Sequence, residues 1–252
     1  LPEWKRGILV VDLETLLQRI APTSYIQGHA FDIRVGAKLN LERLRERLAG
    51  AGYAATSQVM APGEFAVRGS LLDLFAMGST SPFRIDLFDD EVESIRTFDP
   101  ETQRSGDKVD AVRLLPAREF PLTPDGIQGF RRRYRTRFEG DLTQMHVYRD
   151  VSEGIASAGI EYYLPLFFDG TSSLLNYLPD ATVLAIDTDL KAVLAHAWAE
   201  IQERHDQRGH DARRPILAPH EIFFPPEDIE SRIGNFRRIE ISKVELDPLN
   251  RS

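Results

Sequence analysis

The sequence predicts an α/β protein that contains a small antiparallel sheet, and two patterns indicate this fold class. Between Gly63 and Pro100, hydrophobic and charged residues alternate, as they do in strands that bury one face. Two continuous apolar runs, Gly7–Val11 and Thr182–Ile186, are each followed by a helical pattern, which is typical of a buried strand that leads into a helix. The length of 252 residues allows one large domain or two smaller ones.

The composition excludes several classes of protein. No apolar run is long enough to span a membrane, and no signal peptide opens the chain. The absence of cysteine rules out disulfides and thiolate metal sites, and it favours a cytoplasmic location. The net charge of −8 argues against bulk DNA binding and leaves room only for a local basic patch. Because the chain begins with Leu1 rather than Met, we expect it to be a fragment of a longer protein.

The first fifty residues predict two helices around a strand-like stretch. The apolar run Gly7–Val11 predicts a buried parallel strand, and Asp12 is placed to cap a helix over Leu13–Ile20. Ser24–Val35 is expected to be irregular or strand-like. A second helix is predicted over Asn40–Gly50, with asparagine as its cap and leucines along one side.

The predicted sheet has three segments, which are Glu64–Phe75, Phe83–Phe88 and Glu91–Phe98. In the first segment, one predicted face carries Phe65, Val67, Leu71 and Phe75, and the other carries Arg68, Ser70, Leu72 and Leu74. In the second, Arg84, Asp86 and Phe88 share a side. One face of the sheet should belong to a core, whereas the mixture of arginines, an aspartate and leucines on the other suits a partner.

The second half of the chain is predicted to be mainly helical. A helix begins near Thr123, and its apolar side consists of Ile127, Phe130, Tyr134 and Phe138. Thr182–Ile186 predicts a strand, and a helix is predicted over Leu190–Arg204. Ile222–Phe224 and Arg238–Ile241 predict short strands.

Neither a nucleotide site nor a metal site is predicted. A phosphate-binding loop needs glycines and a lysine where a strand meets a helix, but the two junctions read VVDLET and AIDTDL, whose carboxylates repel phosphate. The six histidines lack metal-ligand spacing. The acidic stretch Asp89–Glu91 is interpreted as a hairpin turn rather than a cation site. We therefore expect no cofactor and no catalytic residue.

The arginine run Arg131–Arg137 allows two interpretations. It is either the solvated side of an amphipathic helix, which the pattern favours, or a nucleic-acid surface that uses Arg131, Arg132 and Arg135. The group of Arg68, Arg84 and Asp86 in the sheet also allows two interpretations. They form either an internal ion-pair cluster or the charged part of a partner site, with Leu72 and neighbouring apolar groups as its desolvated part.

Several stretches resemble one known family. These are QVMAPGEFAVRGSLLDLF, FRIDLFDDEVESIRTFDPETQRS, LLPAREF and GIEYYLPLFF. Together they are similar to the N-terminal part of the bacterial transcription-repair coupling factors (Mfd), which is itself similar to the excision-repair subunit UvrB. The resemblance covers about Trp4 to Ile241, and the sequence departs from the family pattern at Ala54, Ala55 and Ala76.

The resemblance implies an incomplete, degenerate RecA-like (P-loop-NTPase-like) domain with an inserted, small, antiparallel β-rich α+β domain. Residues 1–25 would end the first half of the RecA-like domain, 26–115 would be an inserted UvrA-binding domain, 116–241 would be the second half, and 242–252 a tail or linker.

The family also implies a role in recruitment rather than chemistry. Arg68, Arg84 and Asp86 align with charged positions of the UvrB surface that contacts UvrA, and Phe65 and Leu72 lie nearby. The full-length protein would recognise RNA polymerase stalled at a lesion and act as an ATP-dependent DNA translocase. Its ATP, Mg and DNA sites would lie outside this fragment. The UvrA-binding face would be covered in the resting full-length protein.

Overall fold

The computed structural model describes residues 6–208 and 213–241. The chain divides into two compact units. One unit contains the described residues within Leu1–Ile20, Glu161–Pro165 and Gly170–Ser252, and the other contains Ala21–Ile160 and Leu166–Asp169. The predicted tail at 242–252 lies outside the described residues. The four predicted segments, with three boundaries between them, stay predictions.

The elements follow one another along the chain with short connections. The helices are α1 (Leu13–Leu17), α2 (Thr23–His29), α3 (Leu41–Gly50), α4 (Pro124–Arg137), α5 (His146–Ser152), α6 (Leu190–Arg208), α7 (Pro219–Ile222) and α8 (Pro226–Ile233). The strands are β1 (Phe31–Arg34), β2 (Ala54–Ala55), β3 (Glu64–Arg68), β4 (Leu71–Leu74), β5 (Phe83–Phe88), β6 (Glu91–Phe98), β7 (Ser105–Val109), β8 (Ala111–Leu114), β9 (Val183–Ile186) and β10 (Arg237–Glu240). Short 3-10 helices occupy Leu142–Gln144, Ile160–Phe167 and Leu174–Tyr177.

The larger unit is built on a six-stranded sheet of order β2-β3-β4-β5-β6-β7. Strands β3 to β7 form an antiparallel meander, β2 pairs parallel to β3, and β1 pairs with β8 in a separate antiparallel ribbon. One face of the sheet forms a core with the leucines of α3. The buried members of this core include Leu44, Leu48, Phe65, Leu72, Leu74, Ile85, Leu87, Val92 and Ile95.

The segment Glu64–Phe75 is a hairpin rather than one continuous strand. A turn at Gly69, whose φ is +63°, separates β3 from β4, and Phe65 stands opposite Leu74 while Val67 stands opposite Leu72. The predicted faces of this segment are therefore wrong, because the alternation restarts after a turn. Leu72 and Leu74 join Phe65 in the core, and Leu71 joins Arg68 on the opposite side.

We call that opposite side the arginine face and define it by Arg68, Leu71, Asp73, Arg84 and Asp86. The strand pairing places Asp73 directly opposite Arg84 and Leu71 directly opposite Asp86. Side chains of directly opposed residues lie on the same side of a sheet. The predicted grouping of Arg68, Arg84 and Asp86 on one side of the sheet is therefore confirmed.

A β-bulge between β5 and β6 keeps the apolar side chains of both strands on the core side of the sheet. The pairing changes from Asp86 opposite Ser94 to Leu87 opposite Val92, so that Glu93 is the additional residue. Because of this extra residue, Leu87 and Val92 are both buried in the core. Alternation along β5 then places Phe88 on the same side as Asp86.

The predicted helix caps are confirmed. The Asp12 carboxylate accepts a hydrogen bond of 2.7 Å from the Thr15 amide, and the Asn40 side chain accepts one of 2.9 Å from the Arg43 amide. A cap of this kind satisfies one of the amides that a helix leaves unpaired at its start.

Helix α4 buries the aromatic side that its sequence predicts. Phe130 and Tyr134 are fully buried, and the Tyr134 ring lies 4.6 Å from the Phe138 ring and 5.3 Å from the Tyr148 ring, measured between centroids. The neighbouring α5 supplies Tyr148 and the buried Val151. The arginines of α4 consequently lie towards solvent or at the border of this aromatic layer.

The smaller unit has a parallel pair, β9 and β10, and a helical core. Leucine and isoleucine side chains from α1, α6 and α8 meet there, and the buried members are Leu17, Leu175, Leu194, Ala197, Phe224, Ile229 and Ile233. The predicted strand at Thr182–Ile186 and the helix that follows it are confirmed as β9 and α6. Two paired strands do not establish a RecA-like sheet, which stays a prediction.

Three predicted segments differ from the structure in whole or in part. Gly7–Val11 forms no strand, with Ile8 87% exposed, because no strand among the described residues offers it a hydrogen-bonded neighbour. Ser24–Val35 is a strand only at β1 and begins with α2. Ile222 ends the short helix α7, and Phe223 forms an isolated antiparallel bridge with Gln18 rather than part of a strand. In the part of the chain that the structure describes, no helix is long and apolar enough to cross a membrane.

Candidate functional site

Asp73 is the centre of the arginine face. Its side chain is 0% exposed, yet it lies in the middle of β4 between Leu72 and Leu74. Arg84 donates a hydrogen bond to each of its carboxylate oxygens, from Nε to Oδ1 at 2.7 Å and from Nη2 to Oδ2 at 2.9 Å. Arg68 donates a further hydrogen bond to Oδ2. The buried carboxylate is thus paired with two guanidinium groups, as a buried charge must be.

The antiparallel meander explains this meeting of charges. Arg84 is the cross-strand neighbour of Asp73 on β5, while Arg68 lies at the end of β3, beside the hairpin turn. A small apolar cluster of Val59, Ala66, Phe75 and Phe98 lies next to them and limits the access of water to Asp73. Ala66 stands directly opposite Asp73.

Arg84 is held on several sides. Besides Asp73, its Nη1 donates to the Gln103 carbonyl oxygen at 3.0 Å, and its guanidinium carbon lies 4.7 Å from the centre of the Phe98 ring. The hydrogen bond to Asp73 raises the pKa of Arg84, against the opposing effect of burial. Only 16% of its side chain is exposed. Arg84 is therefore a fixed charge with little freedom to turn towards a ligand.

Arg68 has more freedom, because half of its side chain is exposed. It lines an open depression of about 490 Å³ together with Gln58, Leu71, Arg84 and Gln103. Gln103 occupies the left-handed region, with φ +59°, in the turn before β7. The depression is open to solvent, and both arginines line it.

Asp86 and Phe88 extend the arginine face along β5. Asp86 faces Leu71 across the strand pair and accepts a hydrogen bond of 3.5 Å from the Ser94 hydroxyl. Phe88 is 72% exposed, which is unusual for a large aromatic side chain. The face thus combines a positive cluster, one carboxylate and an exposed ring.

Phe65 and Leu72 are not part of this surface. Both belong to the main core, where Phe65 is 3% exposed and Leu72 is 0% exposed. The strand register turns them away from Arg68 and Arg84. Both side chains are therefore out of reach of a partner bound to the arginine face, contrary to the prediction.

The sequence interpretation missed Asp73 and Phe88. An aspartate inside the apolar run LLDLF signals either a surface position or a buried ion pair, and arginines at the right register in β3 and β5 favour the ion pair. Phe88 could be found from its position next to the turn at Asp89, which has φ +55°. An aromatic residue at the exposed end of a hairpin is more typical of a contact than of a core.

The arginines of α4 have separate surroundings. Arg133 pairs with Asp169 and donates to the Leu166 carbonyl oxygen at 3.3 Å, whereas Arg131 and Arg135 both reach the Tyr148 hydroxyl. Arg132 is exposed. In the described residues, no group of three histidine, aspartate or glutamate side chains could hold a metal ion.

An exposed, charged face with one aromatic ring on a well-packed sheet is typical of the class of domains that bind other proteins. Residues 31–120 match the family described as the UvrB interaction domain. The chain as a whole is similar to the transcription-repair-coupling factor of Escherichia coli (strain K12), at 41% identity over 247 residues, which cover 98% of this chain and 22% of the relative. The Haemophilus influenzae protein of the same name is 40% identical over 237 residues, covering 93% of this chain and 21% of the relative.

A more distant relative is the transcription-repair-coupling factor of Bacillus subtilis (strain 168), which is 29% identical over 194 residues, covering 71% of this chain and 16% of the relative. The chain therefore spans about a fifth of the length of its more similar curated relatives. It belongs to the transcription-repair-coupling factor family and contains the UvrB interaction domain of that family.

Proposed function

We propose that this chain binds UvrA through the arginine face and so recruits nucleotide excision repair to RNA polymerase that is stalled at a DNA lesion. The observation that carries the proposal is the exposed Arg68, held on the buried Asp73, within a domain of the UvrB interaction family. The chain performs no catalysis in this role. The ATP-driven DNA translocase, with its ATP and Mg sites and the DNA contacts of the motor itself, and the contacts with RNA polymerase belong to other parts of the longer protein.

The cluster has an excess of positive charge that suits an acidic partner surface. Two guanidinium groups share the single carboxylate of Asp73, which leaves one net positive charge on the cluster of Arg68, Asp73 and Arg84, while Asp86 lies two residues from Arg84 along β5. A charge at the border of an interface guides the partner during encounter and fixes its register. The partner group that fits Arg68 is a carboxylate or a cluster of carbonyl oxygens.

The two arginines have different roles in this proposal. Arg68 is half-exposed and makes the direct contact. Arg84 is largely enclosed and donates its hydrogen bonds to Asp73 and Gln103. It therefore positions Asp73, and Asp73 in turn positions Arg68. Because these side chains are ordered before binding, little side-chain entropy is lost when UvrA binds.

Phe88 and Leu71 supply the apolar part of the contact. Phe88 is exposed, and an aromatic ring that becomes buried in an interface contributes strongly to affinity. Asp86 adds a negative charge beside them, so the partner must present both signs of charge at matching positions. This arrangement favours one partner over other acidic proteins.

The proposal is tested by measuring the affinity of purified UvrA for the chain by calorimetry. Arg68→Ala removes a charge-assisted hydrogen bond, and we expect the dissociation constant to rise about tenfold or more. Phe88→Ala should have a similar effect. Arg43→Ala, which removes an exposed charge from α3, is the matched control and should bind as the unaltered chain does.

Circular dichroism of each variant separates loss of binding from loss of fold. Unaltered affinity in both Arg68→Ala and Phe88→Ala would show that the arginine face is not the UvrA site. Equal weakening by Arg43→Ala would point instead to a general dependence on charge.

A further inference from the structure

Arg131 and Arg135 of α4 converge on one acceptor outside the arginine face. The Nε atom of Arg131 donates to the Tyr148 hydroxyl at 3.3 Å, and that of Arg135 donates to the same oxygen at 2.7 Å. Their guanidinium carbons lie 5.9 and 5.6 Å from the centre of the Tyr148 ring. Two positive groups, one helical turn apart, are therefore held together by a neutral side chain.

No carboxylate neutralises this pair. Within residues 6–208 and 213–241, no ion pair joins Arg131, Arg132 or Arg135 to an aspartate or glutamate. Two arginines nearby behave differently, since Arg133 pairs with Asp169 and Arg149 lies 3.8 Å from an Asp150 oxygen. Like charges at positions i and i+4 of a helix repel each other, so an anion bound between them would reduce this repulsion.

The three side chains present only donors to such an anion. Each Nε is used on Tyr148, which leaves the terminal Nη groups of both arginines for a ligand. The Tyr148 oxygen accepts both hydrogen bonds, so its hydroxyl proton is not used by either arginine. A fork of guanidinium donors with a hydroxyl suits the oxygens of a phosphate.

We infer that Arg131, Arg135 and Tyr148 form a phosphate-binding site for the backbone of a nucleic acid, which the exposed Arg132 extends. The aromatic residues between these arginines, Phe130 and Tyr134, are fully buried and cannot stack on bases. The contact is therefore with phosphates and is independent of base sequence.

A nucleic acid fits this surface better than an acidic protein segment does. Arg131 and Arg135 lie on the same side of α4 with the exposed Arg132 beside Arg131, and closely spaced positive groups match a polymer with regularly repeated negative charge. The net charge of −8 opposes contact elsewhere on the chain, so binding should be weak and confined to these arginines.

The test is fluorescence anisotropy of a short, fluorescein-labelled DNA duplex titrated with the 252-residue chain at about 50 mM salt. Arg131→Gln/Arg135→Gln should weaken binding at least about tenfold and reduce the slope of log affinity against log salt by about 1.8, the value for two lost phosphate contacts. The matched control, Arg43→Gln/Arg45→Gln, removes the same charge from α3. It should change the affinity and the salt slope much less than Arg131→Gln/Arg135→Gln does.

Two further variants keep the result interpretable. Arg131→Lys/Arg135→Lys retains the charge without the planar fork and should recover part of the affinity. Tyr148→Phe retains the ring and should weaken binding about two- to tenfold, as expected for one lost hydrogen bond. UvrA affinity should stay unchanged in all of these variants, which separates this site from the arginine face.

Several outcomes would overturn the inference. They are the absence of DNA binding at low salt, equal weakening by the α3 control pair, and full competition by polyglutamate at equal charge concentration. The last result would assign the site to an acidic protein segment instead of a nucleic acid.

Discussion

Arg84 holds both carboxylate oxygens of Asp73, with Nε 2.7 Å from Oδ1 and Nη2 2.9 Å from Oδ2. The two residues stand directly opposite each other on β4 and β5, so the strand register itself sets this geometry. The pair lies on the side of the sheet away from the main core, beside the small cluster that contains Phe98. A buried ion pair thus fixes the orientation of the surface that we assign to UvrA.

Asp73→Asn should destabilise the protein by about 3 kcal/mol, because two guanidinium groups would lose their shared, desolvated counter-charge. Urea unfolding monitored by circular dichroism measures this loss. Asp86→Asn is the matched control, since Asp86 is only partly buried and its hydrogen bond is long, and it should change stability by less than about 0.5 kcal/mol. Equal effects of the two substitutions would contradict the central position of Asp73.

Leu72→Ala and Phe88→Ala should affect different properties. Leu72 is fully buried, so its truncation should cost about 2–5 kcal/mol of unfolding free energy, while UvrA affinity per folded molecule stays the same. Phe88 is exposed, so its truncation should leave stability within about 0.5 kcal/mol and weaken UvrA binding. The converse result, with stability lost at Phe88 and affinity lost at Leu72, would reverse our assignment of the two faces.

Two glycines of α4 should respond oppositely to alanine. A Cβ atom at Gly126 would lie 2.4 Å from the Pro121 carbonyl oxygen, which is backbone and cannot move aside, so Gly126→Ala should cost about 1–3 kcal/mol. At Gly129 the nearest atom is the flexible end of Arg133, and the higher helix propensity of alanine should stabilise the protein by up to about 1 kcal/mol. Thermal unfolding of both variants decides between these signs.

The unfolding free energy should fall between pH 10 and pH 12, in part because of Tyr25. Burial raises the pKa of Tyr25 from its usual 10.0 to about 12. The folded state therefore keeps this proton in a range where the unfolded chain has released it, and stability that is present below pH 10 is lost as the pH rises. Tyr25→Phe should lose less stability over this range, as measured by urea unfolding at several pH values.

Burial also raises the pKa of Tyr53, so part of the alkaline loss should remain in Tyr25→Phe. An identical slope in the variant and the unaltered chain would remove Tyr25 as a contributor. A check below pH 9 serves as the control, because neither tyrosine changes its charge there.

Structural features that depend on residues close in the sequence could be predicted, whereas features that depend on the pairing of strands could not. Asp12 and Asn40 cap their helices through amides only three residues away, so the local pattern is sufficient. Gly7–Val11 has the composition of a buried strand, but a strand needs a paired neighbour that local pattern does not specify. The turn at Gly69 was missed for a related reason, because it restarts the alternation and reverses which leucines face the core.

The candidate site shows the same division. Alternation along a single strand was enough to place Arg84 and Asp86 together. Finding Asp73 between them and Arg68 required the register of three strands, which depends on the turn and on packing. The convergence of Arg131 and Arg135 on Tyr148 was also beyond the sequence, because it depends on how α5 packs against α4.

The buried aspartate determines what would have to be moved to give another scaffold the same surface. Grafting only Arg68, Arg84 and Asp86 onto a foreign sheet would transfer their charges without the anchor that orients them. The smallest transplantable unit is the stretch from Val59 to the Gln103 turn, because it contains Asp73, its register and the residues that enclose it. For a protein engineer, the binding specification is therefore an entire folded segment.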